Sequence, residues 1–343
     1  MRCGSADVVT IIKIPVKKGL SNKTQTQAKT ALLHGDTSPP TGPKPASELI
    51  PFIDKISVVV TPKTKEDQAD IHQAVATMWN DKELLGPATW KKPYKRSYTV
   101  PLEGFDDEPR FDYSFHGPLA TKLRFELNPG LLGKDGMNAL HASLIVLMPD
   151  GWEYALVNGN ISRLDVAVDL HAVRMDDFLY LPTQSTRKLA WTSDGHLESF
   201  TLGTNKGHQT LVYNKKAEQK AKGKKWDGST VVRIEKRMKN LNSKVLDLGK
   251  LENPFKGTLL VQNFPPPIPD ENQWQWTLFQ DCVRFRGLDK ALALLPKDRK
   301  AKYRKHLKAH SLTWWDAEMV WANWPQALGP LMVGNHVFFK QFA

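Results

Sequence analysis

Apolar and polar positions alternate with a period of two in several short runs and follow a helical period in others, so the chain reads as mixed strands and helices. Residues 53–61 predict a strand stopped by Pro62, and Ile71, Val75, Met78 and Trp79 recur at helical spacing within a helix expected over 65–85. A strand over 123–128 ends at Pro129-Gly130, and a helix follows over 136–147. The alternation of 152–157 predicts a strand that turns through Asn158-Gly159 into a second strand over 161–170. A short helix is expected over 176–180. A hairpin is expected from 199–203 and 208–213 across the 204–207 turn, and a further strand over 230–238. Beyond Pro265-Pro266-Pro267 the period becomes helical, with helices over 274–286, 288–295, 298–310 and 312–324.

This order predicts an α+β fold: antiparallel β-sheets with packed helices, followed by a helical C-terminal domain. The stretch up to 48 is rich in Thr, Lys, Gly and Pro without sustained hydrophobic period, and is expected to be a flexible leader. The expected divisions are a leader over 1–48, a domain of strands and helices over 49–264, and a helical domain over 265–343.

Charge narrows the partners. The 343 residues carry 48 Lys and Arg against 36 Asp and Glu, a formal charge of +12, which favours polyanions such as nucleic acid or an acidic membrane surface. Cys3 and Cys282 are too few and too distant for a disulfide framework or a cysteine zinc site. No run reaches the roughly 18 apolar residues of a membrane span, so a cytoplasmic protein with no membrane partner is expected.

Two strands carry acids on a polar face. In 161–170, Leu164, Val166, Val168 and Leu170 share one face, and Arg163, Asp165, Ala167 and Asp169 share the other. Residues 231–238 repeat the arrangement, with Arg233, Glu235 and Arg237 on the polar face. Such faces are ordinarily solvated, or joined by cross-strand Arg-carboxylate pairs. They also allow Asp165 and Glu235 to meet as hard-oxygen ligands for Mg2+ or Mn2+. Asp165 and Asp169 are separated by roughly 13 Å along a regular strand, so both cannot bind one ion directly.

Tyr213 ends a strand just before Asn214, which is placed to cap a helix. Alone it is an ordinary strand-end aromatic. Unpaired N–H groups of that helix, with Lys215 and Lys216, offer a resting place for a phosphate and a setting that favours the phenolate. Residues 213–239 hold ten Lys or Arg against three acids. Trp226 lies among these charges as a candidate stacking or core residue. Residues 284–308 hold ten basic residues against two acids, making the helix over 298–310 a candidate DNA-contacting element.

Taken in order, Ile161-Ser-Arg-Leu-Asp-Val-Ala-Val-Asp169, Thr201-Leu-Gly-Thr204, Leu211-Val-Tyr-Asn-Lys-Lys216 and Val232-Arg-Ile-Glu235 resemble the Rep_trans type of replication initiation factor. That family serves rolling-circle plasmids, filamentous phages and relaxases of integrative elements, and the resemblance covers roughly 50–255. It implies that Tyr213, aided by Lys215 and Lys216, attacks a phosphate at an origin, leaving a 5′-phosphotyrosyl link and a free 3′-hydroxyl. It implies a divalent ion, Mg2+ or Mn2+, with Asp165, Asp169 and Glu235 as ligand candidates. Arg163, Lys206, Lys220, Arg233 and Arg237 are the expected DNA contacts. Implied partners are plasmid or phage origin DNA, host helicase and replication machinery, and a second copy of the chain. A relaxase, or a non-catalytic DNA-binding protein on the same fold, are the alternatives. The chain lacks a His-hydrophobe-His motif, and His141, His171 and His208 stand apart as structural or solvent-facing residues.

Overall fold

A computed structural model describes residues 43–80, 89–91, 94–105, 107–114, 122–181, 188–193, 196–204, 206–226 and 228–333. The strands are β1 (Phe52–Val60), β2 (Thr89–Lys91), β3 (Tyr94–Thr99), β4 (Arg110–Tyr113), β5 (Leu123–Leu127), β6 (Gly159–His171), β7 (Phe178–Leu181), β8 (Lys188–Ser193), β9 (His196–Gly203), β10 (Gln209–Asn214), β11 (Val231–Lys244) and β12 (Leu259–Gln262). The helices are α1 (Lys65–Asn80), α2 (Pro129–Leu144), α3 (Gly151–Asn158), α4 (Lys215–Ala221), α5 (Gln273–Arg286), α6 (Leu288–Ala293), α7 (Lys297–Ala309), α8 (Ala317–Ala322) and α9 (Trp324–Ala327).

Ten strands form one sheet in the order β2-β3-β4-β5-β1-β6-β11-β10-β9-β8, and β7 pairs with β12 in a second, two-stranded sheet. The paired strands are antiparallel. The fold is α+β, an antiparallel sheet with packed helices, as the alternation predicts. β6 and β11 lie at its centre, and the apolar side chains Leu164, Val166, Val168, Ile234 and Val232 are all buried. α2 and α3 pack against β1, and α3 also reaches β6 and β11. Burial of these apolar positions supplies the main driving force, at about 25 cal/mol per Å² of apolar area.

Two local expectations need correction. Residues 152–157 form α3 rather than a strand: Trp152, Ala155 and Leu156 are buried at helical spacing, and Asp150 and Gly151 enter the helix with φ of 55° and 51°. There is accordingly no hairpin through Asn158-Gly159. Gly159 instead passes from α3 into β6, in a space where an added Cβ would lie 2.3 Å from the Ala155 carbonyl oxygen. Residues 176–180 give only a 3-10 turn, Met175–Asp177, before β7 begins. The pairing of β7 with β12 outweighs the local helical preference.

The leader expected over 1–48 lies outside the described residues up to 42. Its end, Ala46–Glu48, is a 3-10 turn with Ala46 buried. After Pro267 the chain is helical, and its helices divide between two cores. Trp276, Phe279, Val283, Leu292, Tyr303 and Leu307 of α5, α6 and α7 cluster with Leu181 and Val261. Trp315, Val320, Trp324 and Leu331 join the core of the large sheet.

Candidate active site

The polar face of β6, β11 and β10 is the floor of a groove of about 1230 Å³. Register explains its chemistry. Directly opposite positions on β6 and β11 are Asp169 with Arg233, Ala167 with Glu235, and Asp165 with Arg237. Opposite residues share a face, so acids and arginines form a chequered surface. On the other side of β11, Tyr213 stands opposite Arg233 and diagonal to Glu235, which faces Leu211. The Tyr213 hydroxyl donates to Glu235 Oε2 at 3.2 Å.

β1 adds an acid that its alternation hides. Its register with β6 shifts between Ile53, opposite Val166, and Lys55, opposite Asp165, so Asp54 is the extra residue of a β-bulge. The bulge places Asp54 beside the polar face of β6. Asp54, Asp165 and Glu235 each offer an oxygen, and the three atoms lie within 4.8 Å of one another. Among the described residues this is the one group of three or more potential ligands so placed. Three hard carboxylate oxygens at this spacing suit an octahedral Mg2+ or Mn2+, whose adjacent ligands sit roughly 3 Å apart. The residues therefore fit a divalent ion.

The third acid named from sequence is elsewhere. Asp169 is clamped by Arg233, Nε to Oδ1 at 2.7 Å and Nη2 to Oδ2 at 2.8 Å. Arg233 then reaches Asp54 Oδ1 through Nη1 at 2.6 Å, and its guanidinium lies 4.7 Å from the Phe52 ring centre. Asp169 thus holds the arginine that holds Asp54. Arg163 Nε donates to Asp165 Oδ1 at 2.9 Å. Arg237 bridges two acids, Nη2 to Glu235 Oε1 at 2.7 Å and Nε 3.2 Å from Asp165 Oδ2.

Burial sets the protonation states. It pushes the Tyr213 phenol far above its ordinary value, the Glu235 carboxylate adds to the rise, and Arg233 opposes it. The resting hydroxyl is therefore neutral. Burial also raises the Asp54 carboxyl, against the pull of Arg233. For Arg233 itself burial disfavours the charge, but the Asp169 bonds outweigh that and keep the guanidinium protonated.

The lysines stand further out. Lys215 Nζ is 5.8 Å from the Tyr213 ring centre and pairs with Glu218 at 2.9 Å; Lys222 pairs with the same carboxylate. Lys216, Lys220 and Lys206 are exposed, and none of them lines the groove. Asn214 caps α4 as expected, its side chain accepting from the Ala217 amide, but α4 is only seven residues long. The phenol's hydrogen bond thus goes to a carboxylate, with Lys215 and Arg233 as the cations beside it. Arg163, Arg233 and Arg237 do line the groove, as do Lys55, Lys224 and Trp226.

No family model matches the chain, and no curated protein matches it. Among solved structures, it is similar to a rolling circle replication initiator protein from Geobacillus stearothermophilus. That alignment covers 71% of this chain and 99% of the other, at 14% identity and a TM-score of 0.38.

Proposed function

We propose that the chain cuts one strand of DNA by attack of the Tyr213 hydroxyl on a phosphodiester, as an initiator of rolling-circle replication would. The observation that carries the reading is the 3.2 Å contact between Tyr213 and Glu235 within a three-carboxylate group suited to a divalent cation. The motif resemblance to Rep_trans initiators points the same way.

Each chain residue has a definite task. Tyr213 Oη forms the new bond to phosphorus, and the bond to the 3′-oxygen breaks, leaving a 5′-phosphotyrosyl link and a 3′-hydroxyl protonated from solvent. Glu235 Oε2, already the acceptor of the phenolic hydrogen, takes the proton. Asp54, Asp165 and Glu235 would hold the ion, which supplies charge stabilisation at the phosphate oxygens. Arg163 and Arg237, each about one quarter exposed, face the groove where a phosphate would lie. Strand closing is the reverse attack by a 3′-hydroxyl.

A second reading has one observation behind it. Each acid of the triad already contacts a guanidinium, as in a structural ion-pair network on a non-catalytic DNA-binding protein. Incubation with a random single-stranded library and Mn2+, followed by mass spectrometry, separates the two. Nucleotide adducts on Tyr213 are expected with the native chain. They should vanish in Tyr213→Phe while DNA binding persists. Adducts that survive the substitution, or that never form with the native chain, rule the proposal out.

A further inference from the structure

Four carboxylates, Asp54, Asp165, Asp169 and Glu235, meet three guanidiniums, Arg163, Arg233 and Arg237, leaving one net negative charge. A divalent cation entering this site turns the balance to one net positive charge, and a DNA phosphate restores neutrality. The three arginines are not equivalent in this exchange. Arg233 is 10% exposed, forked onto Asp169 and packed over Phe52. Arg163 contacts a single ligand acid, Asp165. Arg237 alone of the three lies between two of them, and its side chain is 25% exposed above Asp165 and Glu235, which are 1% and 3% exposed.

We propose that Arg237 is a resident counter-cation at the metal site: it bridges Asp165 and Glu235, excludes the divalent ion from their shared edge, and yields to it when a DNA phosphate takes up the guanidinium. The inference rests on the proposed metal site. A guanidinium stays charged at any ordinary pH, so it cannot relieve repulsion from an incoming cation by losing a proton. It must move, and the groove is the open direction. Its planar fork matches a phosphate as well as it matches a carboxylate. Metal and DNA therefore bind cooperatively, each favouring the state in which Arg237 has turned from the acids to the strand.

Manganese binding by electron paramagnetic resonance tests this on the full chain, without reference to turnover. The native protein should bind Mn2+ weakly. In the Tyr213→Phe background, which cannot cleave, a single-stranded oligonucleotide should tighten that binding by about tenfold or more. Arg237→Gln should bind Mn2+ about tenfold tighter than the native chain without DNA, and DNA should then add little. Arg237→Lys is the milder change, which keeps the charge but cannot span both acids, and it should fall between. Loss of the tight binding on adding Glu235→Gln to Arg237→Gln would place the ion at this group. Equal or weaker Mn2+ binding by both Arg237 variants overturns the gating role while leaving the metal site standing. No Mn2+ bound by any of these proteins, with or without DNA, overturns the site and the gate together.

Discussion

At the scale of single residues, the site depends on which acid meets which cation. Asp54 and Asp169 flank Arg233 but do different work: Asp54 belongs to the triad, and Asp169 fixes the arginine. Asp54→Asn should therefore reduce cleavage at least about a hundredfold, with a matching loss of Mn2+ affinity and little change in stability. Asp169→Asn should lower stability by about 2–3 kcal/mol in urea denaturation, because a buried guanidinium loses the carboxylate it grips with two hydrogen bonds, and should affect Mn2+ affinity less. The opposite ranking would mean that Asp169 is the ligand. Two tyrosines give a pH signature independent of function. Burial pushes the Tyr98 phenol up to about 12; burial and then its hydrogen bond to Asp67 do the same for Tyr154. A raised folded value means that the unfolded chain ionises first, near pH 10. The stability these groups contribute is thus complete below pH 10 and drains away as pH rises to about 12. Absorbance titration at 295 nm should show at least two tyrosines that ionise only near pH 12 or on unfolding, and Tyr154→Phe should remove one of them. Normal titration of both in the folded protein would refute this.

At the scale of elements, legibility followed the strength of the alternation. The polar face of β6, the β9-β10 hairpin and β11 are readable because apolar and polar positions alternate over most of their length, despite Lys236 on the apolar face of β11, and pairing register then brings Tyr213, Asp165 and Glu235 together. Asp54 was missed although β1 itself was found. Its signal is the spacing of three between Ile53 and Ile56, where a regular strand has two, and an extra polar residue between apolar ones marks a bulge. The acids were legible as a set, but their partners were not, since alternation gives a face and only register gives a neighbour. β2, β3 and β4 were missed because 89–113 mixes charges, prolines and aromatics without a clean period. α3 failed for another reason: Trp152, Tyr154 and Leu156 alternate, while Trp152, Ala155 and Leu156 recur helically, so the sequence supports both. Tertiary fit decides, through the tight passage at Gly159. Gly159→Ala would press a methyl to within 2.3 Å of the Ala155 oxygen and 2.4 Å of Val58 Cγ1. A loss of about 2–3 kcal/mol is expected in urea denaturation. A neutral result would show that the junction of α3 and β6 is looser than drawn.

At the scale of the whole molecule, charge is unevenly spent. The chain carries +12, yet the floor of the groove is close to neutral because its arginines are matched to acids. Long-range attraction of a polyanion must then come largely from outside the groove. α7 is the strongest candidate, since Lys297, Arg304, Lys305 and Lys308 are exposed while Tyr303 and Leu307 anchor the helix in its core. Arg299 and Lys302 are tied to Glu271 and so contribute less. None of the α7 residues lines the groove, so DNA binding and cleavage can be tested apart. Replacing Arg304 and Lys308 by Gln removes two charges from one face of α7. Anisotropy titrations of a single-stranded oligonucleotide should then show weaker binding and a salt dependence shallower by about 1–1.5 in log-log slope, since each lost phosphate contact releases fewer counterions. Adduct formation at saturating DNA should be unchanged, because Tyr213 and its acids are untouched. An unaltered slope would place the DNA elsewhere on the surface, and a lost adduct at saturation would mean that α7 orients the strand at Tyr213 as well as attracting it.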